Sequence, residues 1–239
     1  MGYTFRKGLI DGLPVCIGYL SVSFAFGIFA VGSGFGIAEA LMISMFNVTS
    51  AGQLAAVPII ASGGMMAELA MSQLVINLRY ALMSVSLSQR LDRTVRLRDR
   101  FLIAFVNTDE VFAIASSQRE LVGRRYLYGL ILTPYLGWSL GTLLGAIAGD
   151  ILPTIVTAAL GIAIYGMFIA IVTPVARADR ATAACVLIAA VLSCLFRYVP
   201  ALSAVPSGFV IIICAVIAAG VMAVVAPVKI SSEEVPADA

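Results

Sequence analysis

Asp109 and Glu110 stand side by side in the middle of FLIAFVNTDEVFAIASSQ (101–118), between two strongly apolar flanks. Adjacent carboxylates at such a point can hold an ammonium, carry a proton or pair with a buried cation. A cation is at hand in ELAMSQLVINLRYALMSVSL (68–87), where Arg79 lies eleven residues beyond Glu68. At 1.5 Å per residue that is ~16 Å of helix, near the centre of a ~30 Å hydrocarbon core and too deep for the side chain to snorkel. An ionisable residue at that depth is a functional group with a partner to be named. Asp109 or Glu110 is the partner expected for Arg79. A purely structural pair locking two helices carries nearly equal weight on sequence alone. Ser72, Ile76, Arg79 and Met83 follow helical spacing, and Gln73, Asn77 and Tyr80 form an adjoining polar stripe.

The rest of the chain must hold these groups in place. It has 239 residues, 61% hydrophobic and 12% charged, with a mean hydropathy of +1.04. Soluble domains carry about 25% charged residues, so lipid is the natural solvent here. Leu13–Val31, Tyr126–Gly149, Ile151–Ala176 and Ala201–Val228 contain no Asp, Glu, Lys or Arg, and ~20 such residues cross a bilayer as helix. The fold class is therefore all-α, a polytopic transmembrane helix bundle. The run after Arg6 and Lys7 is too long for a signal-peptide core and no small-x-small cleavage site follows it, so a retained helix is expected. Residues 1–228 form one transmembrane domain, and 229–239 read as a short disordered cytoplasmic tail.

Several chemistries drop out. Histidine is absent, which removes Ser-His hydrolases, His-dependent intramembrane proteases and most zinc sites. Cys16, Cys185, Cys194 and Cys214 lie in apolar segments without ligand spacing and read as packing residues, with no disulfide or metal. No nucleotide loop, dinucleotide motif or calcium loop is present, so the chain needs no cofactor and does not itself hydrolyse ATP. Arg90, Arg93, Arg96, Arg98 and Arg100 crowd one loop, Arg119, Arg124 and Arg125 the next, and Arg177 and Arg180 a third. Each cluster abuts a membrane segment, so cytoplasmic retention explains them better than nucleic-acid binding.

Threading follows from those loops. Tyr126–Gly149 leaves the cytoplasm, Pro153–Ala176 returns, Thr182–Phe196 goes out and Pro206–Val228 comes back. Both flanks of 101–118 require the cytoplasm, and one central Asp costs about 2.5–3.5 kcal/mol even on the gentler insertion scales. A re-entrant hairpin turning at NTDE meets both conditions, with Thr108 as N-cap and the carboxylates in the first helical turn. The competing reading is a capped helix start facing the cytoplasm. Upstream, AEALMISMFNVTSAGQLAAVPII (38–60) carries Asn47, Thr49, Ser50 and Gln53 at its middle, and Ser50 to Gln53 fits an S-x-x-Q capping box. A second hairpin dipping from outside balances the sides if the N-terminus is cytoplasmic. Three full spans before Arg90 balance them if it is not.

Four motifs in order, FAFG (24–27), SAGQ (50–53), NLRYALM (77–83) and TDEVFA (108–113), resemble the AzlC family, the large subunits of bacterial two-component branched-chain amino acid exporters. The likeness covers roughly the first half of the chain. It implies a permease of the bacterial inner membrane exporting valine, leucine, isoleucine or analogues. It also implies a small hydrophobic AzlD-type partner subunit, with a homo-oligomer of the heteromeric unit as a further expectation. By position, Arg79, Asp109 and Glu110 become the substrate or coupling residues, with Asn77, Ser50, Gln53 and Thr108 as polar contacts. Many relatives carry His after NLR where this chain has Tyr80, so any proton coupling falls to Asp109, Glu110 or Glu68. A passive solute channel or a non-transporting assembly subunit are the alternative readings, and an enzyme is disfavoured for want of a nucleophile–base pair.

Overall fold

The computed structural model describes residues 4–153, 155–156, 165–166, 169, 172–202 and 204–226. It is all-α among those residues, with one isolated bridge between Leu91 and Val122. Residues 1–168 and 169–239 form two compact units.

The first unit is built on two long helices, α1 (Phe5–Gly32) and α7 (Arg124–Ile151), each long and apolar enough to cross a bilayer. Thr4 caps α1 by accepting from the Lys7 amide at 3.2 Å, and Gly34, at φ 95°, takes the left-handed conformation that stops it. The two helices run parallel and in step. Gly8 faces Gly129, Gly12 faces Thr133, Cys16 faces Gly137, Leu20 faces Gly141 and Phe24 faces Gly145. Glycine every fourth residue on one face of α7 lets the backbones touch, which is how helices associate where lipid offers no hydrophobic drive. A Cβ at Gly137 would sit 2.6 Å from the Cys16 carbonyl oxygen, and one at Gly145 would land on that of Phe24. Gly145→Ala is therefore expected to cost at least about 1–3 kcal/mol by overpacking, seen as a lower Tm in detergent. Gly18→Ala on α1, where an added Cβ meets nothing within 4 Å, is the control expected to be silent.

Parallel packing puts the amino ends of α1 and α7 on one side, together with Arg6, Lys7, Arg124 and Arg125. The positive-inside rule makes that side cytoplasmic. Lys7 pairs with Asp11 at 2.7 Å, and Tyr126 donates to the same carboxylate at 2.8 Å, tying the two helices there.

Between them lie five further helices. α2 (Ile37–Phe46) and α3 (Ser50–Ala61) form the first broken pair, α4 (Met66–Ser88) follows, and α5 (Leu97–Phe105) and α6 (Asp109–Ser116) form the second. Ala40 of α2 and Val57 of α3 pack in one cluster with Phe26, Ala30 and Ala146, near the carboxyl ends of α1 and α7. The chain thus descends from outside, breaks at 47–49 and rises again. Three full spans before Arg90 are overturned.

α4 runs the opposite way to α1, bringing Leu87 into a cluster with Val95, Val122, Tyr126 and Leu127 at the cytoplasmic end. Val122 N donates to Arg90 O at 2.9 Å and Asp92 N donates to Val122 O at 3.1 Å, so the α5–α6 excursion begins and ends at one place. Its first turn is clasped to α7. Asp99 accepts from the Tyr128 hydroxyl at 2.5 Å and from the Arg96 amide at 2.8 Å. Those bonds, the phenol's first, together with the nearby guanidiniums of Arg124 and Arg98, hold the Asp99 carboxyl below the usual carboxylate range.

In the second unit α8 (Arg180–Tyr198) and α9 (Ser207–Val225) pack on one another, each long and apolar enough to span, in line with the 182–196 and 206–228 expectations. Asp179 caps α8, accepting from the amides of Thr182 at 2.7 Å and Ala181 at 3.2 Å. The expected 153–176 return lies largely outside the described residues, and the 229–239 tail wholly so.

Candidate functional site

Two hairpins entering from opposite sides bring two helix beginnings to the middle of the first unit. Each begins with a threonine three residues after a phenylalanine: Phe46-Asn47-Val48-Thr49 before α3 and Phe105-Val106-Asn107-Thr108 before α6. Thr49 accepts from the Gly52 amide at 3.4 Å, and Thr108 from the Val111 amide at 3.5 Å. The start of α6 is as the sequence suggests, with Asp109 and Glu110 in its first turn. The start of α3 differs by one residue. Thr49, not Ser50, is the cap, at φ −151° and ψ 116°, an extended conformation that suits a β-branched residue. Gln53 therefore sits one position beyond the reach of a capping box. It is wholly buried, and its amide nitrogen and oxygen have no hydrogen-bond partner among the described residues.

α4 connects the two tips. Arg79 lies near its middle and forms an ion pair with Asp109. The same guanidinium donates to the Tyr80 hydroxyl at 3.1 Å and lies 4.8 Å from that ring's centre. Tyr80 in turn donates to Thr49 at 3.3 Å. About two turns earlier Gln73 donates to the Gly52 carbonyl at 2.9 Å and accepts from Asn47 and Asn77, each at 3.2 Å. Gly52 is small of necessity here, since a Cβ would fall 2.5 Å from the Thr49 methyl and 2.6 Å from Gln73 Oε1. Polar atoms thus run without a gap from one hairpin tip to the other, through Thr49, Tyr80, Arg79 and Asp109.

α1 adds a group the sequence did not flag. Tyr19 hydrogen-bonds to Glu110, and its hydroxyl lies 2.6 Å from Thr108 Oγ1. A phenol has one proton to give. Donated to the carboxylate, it leaves the phenol oxygen to accept from Thr108. Trp138 of α7 packs edge-on against Tyr19 with ring centres 5.0 Å apart. Tyr135, also on α7, touches both tips: its ring lies 6.3 Å from that of Phe105, and its hydroxyl donates to the Met45 carbonyl at 3.3 Å. That carbonyl belongs to the last turn of α2, where a broken helix leaves acceptors unpaired. Ser44 and Thr142, 2.6 Å apart, pin α2 to α7.

Of the residues expected from sequence, Arg79, Asp109, Glu110, Asn77 and Thr108 join this network. Gln53 is near it in sequence but unpaired, and Ser50 is simply the first residue of α3. Glu39 and Glu68 sit in the first turns of α2 and α4, Glu39 accepting from the Gly36 amide at 2.8 Å. Gln73 and Tyr80 of the polar stripe and Thr49 of the upstream break join it too, and Tyr19 is the addition. Arg79 and Asp109 keep 47% and 46% of their side-chain surface exposed, so the site is open within this chain.

The profile of the family described as "AzlC protein" matches residues 14–152, more than half of the chain and the whole of this network. The chain belongs to the AzlC family. Among its relatives is an "Uncharacterized membrane protein" of Archaeoglobus fulgidus, 34% identical over 172 residues that cover 71% of this chain and 75% of the relative. Another is the "Inner membrane protein YgaZ" of Escherichia coli K12, 31% identical over 151 residues, 62% of either chain. No solved structure matches. AzlC membership and the helical architecture give the chain a membrane location and a membrane transporter-like role.

Proposed function

We propose that this AzlC protein is a secondary transporter of the bacterial inner membrane that exports branched-chain or related small apolar amino acids. It works by alternating access, together with a small AzlD-type subunit. The observation that carries the reading is the meeting of two capped half-helices, from opposite faces, at Arg79. Broken helices whose amino ends converge at mid-membrane are the recurrent binding plan of secondary transporters: the free N–H groups and positive dipole ends receive a carboxylate, and irregular backbone lines the cavity. The half-exposed Arg79–Asp109 pair supports the partner. Charge at mid-membrane is costly against lipid and faces protein or water instead. The inner-membrane name of the Escherichia coli relative supports the location.

Vesicles reconstituted with this chain and its small neighbour subunit test the reading. Preloaded labelled leucine should leave them saturably, and unlabelled leucine on the far side should drive counterflow. Flux rising linearly with concentration and without counterflow would instead make the protein a pore.

A further inference from the structure

A cleft of about 250 Å³ runs between the carboxyl half of α4 and α5, from Leu91 and Arg100 at the cytoplasmic end to Asn107 at the hairpin tip. None of the network around Arg79 lines it. Its lining is mostly apolar, Leu91 and Ile103 among it, with Ser84 and Asn107 as polar members. Asn107 is 3% exposed and donates through Nδ2 to Ser84 Oγ at 3.2 Å, while its Oδ1 has no hydrogen-bond partner among the described residues. A buried acceptor left without a donor is costly, so such an atom calls for one from outside the protein. Ser84, by accepting from Asn107, keeps its own hydroxyl proton to give. Asn107 and Ser84 thus bring an amide and a hydroxyl side by side on the lining of a greasy slot, with Asn107 Oδ1 itself covered and unpaired. That matches the adjoining ammonium and carboxylate of an α-amino acid.

We propose that this cleft is a cytoplasmic entry site for an amino acid zwitterion with an apolar side chain. The Asn107 amide turns its covered Oδ1 to the entering ammonium, Ser84 donates to the carboxylate, and the side chain lies against Leu91 and Ile103. Arg100 is exposed and lines the same cleft, seven residues before Asn107. Its role is to draw the anionic end inward from solution. From Asn107 the next step is to Thr108 and the network behind it, so the entry site and the Arg79 site are consecutive stations. This rests on the transport reading and names a new place for the solute to bind.

The test uses Ala104→Cys, a substitution in the cleft wall, in the full chain with its partner subunit. Inside-out vesicles are alkylated with an impermeant maleimide, with labelling of the parent chain subtracted. Leucine should slow alkylation at least tenfold at concentrations that saturate flux. 4-Methylpentanoate, lacking the ammonium, and isopentylamine, lacking the carboxylate, should protect at least tenfold less well. Ser84→Ala and Asn107→Leu should each raise the half-protecting leucine concentration about tenfold or more, with the unprotected labelling rate unchanged as the sign of an intact cleft. Arg100→Gln should raise it a few-fold, and less so in high salt. Absent labelling, no protection by leucine, or equal protection by all three compounds would overturn the proposal. Leucine flux measured in the same vesicles separates the two readings. Flux without protection removes the entry site and leaves the transporter; protection without flux does the reverse.

Discussion

Arg79→Ala should lower saturable leucine flux by on the order of 100-fold, the loss typical when a preorganised charge at a working site is removed. The guanidinium pairs Asp109, bonds Tyr80 and through it reaches Thr49, so its removal disconnects the two hairpin tips. A structural lock would also fail on this substitution, so the single variant does not decide. The double variant Arg79→Leu/Asp109→Leu does. Replacing both halves of an ion pair with apolar groups is often neutral or stabilising, whereas removing one half strands the other charge. Because both side chains are about half exposed, the stability at stake is well below the several kcal/mol of a fully buried pair. The double variant is therefore expected to recover the wild-type Tm in detergent and to remain without flux. Recovery of both would make the pair a brace between α4 and α6 and remove it from the mechanism.

The hairpin at 101–118 is legible in sequence because charge forces it. Arginine loops on both sides and two carboxylates between them leave a single-pass helix no favourable placement, and Thr108 before Asp109-Glu110 marks where a helix can restart. The break at 47–49 is legible for a weaker reason, a cluster of small polar residues in an apolar run. The same weakness shifts the cap, because Thr49 and Ser50 are both good caps and only the extended backbone at Thr49 decides between them. The side of the N-terminus is not legible at all. Arg6 and Lys7 are too few to fix it, and the answer comes from α1 lying parallel to α7, a contact between residues more than a hundred positions apart. Glycine at 137, 141, 145 and 149 does announce a close helix neighbour, without saying which. Tyr19 carries no local signal, being one tyrosine in an uncharged helix. Its meaning appears only when the fold sets its hydroxyl against Glu110 and Thr108.

That contact separates two carboxylates which the sequence presents as equals. Asp109 is committed to Arg79, whereas Glu110 meets a phenol hydroxyl and has no cation within ion-pairing distance among the described residues. A proton carried by Asp109 would break its pair with Arg79, whereas one carried by Glu110 would break no ion pair. Glu110 meets Tyr19 of α1, which also bonds Thr108, and has Asp109 beside it in the chain. None is a histidine, and of the two carboxylates Glu110 is the one outside the ion pair with Arg79. Glu110→Gln, which keeps the side-chain shape and an acceptor for Tyr19, should leave leucine counterflow within about threefold of wild type, since exchange needs no net proton movement. Accumulation driven by an imposed pH gradient should fall to the level of empty vesicles. Asp109→Asn should instead lose both, as Arg79→Ala does. Tyr19→Phe, which removes the proton that positions the Glu110 carboxylate, should lower gradient-driven uptake about tenfold while sparing counterflow. If Glu110→Gln still accumulates leucine against its gradient at the wild-type level, the coupling role belongs elsewhere, and Glu110 is a helix-start carboxylate held in place by Tyr19 and nothing more.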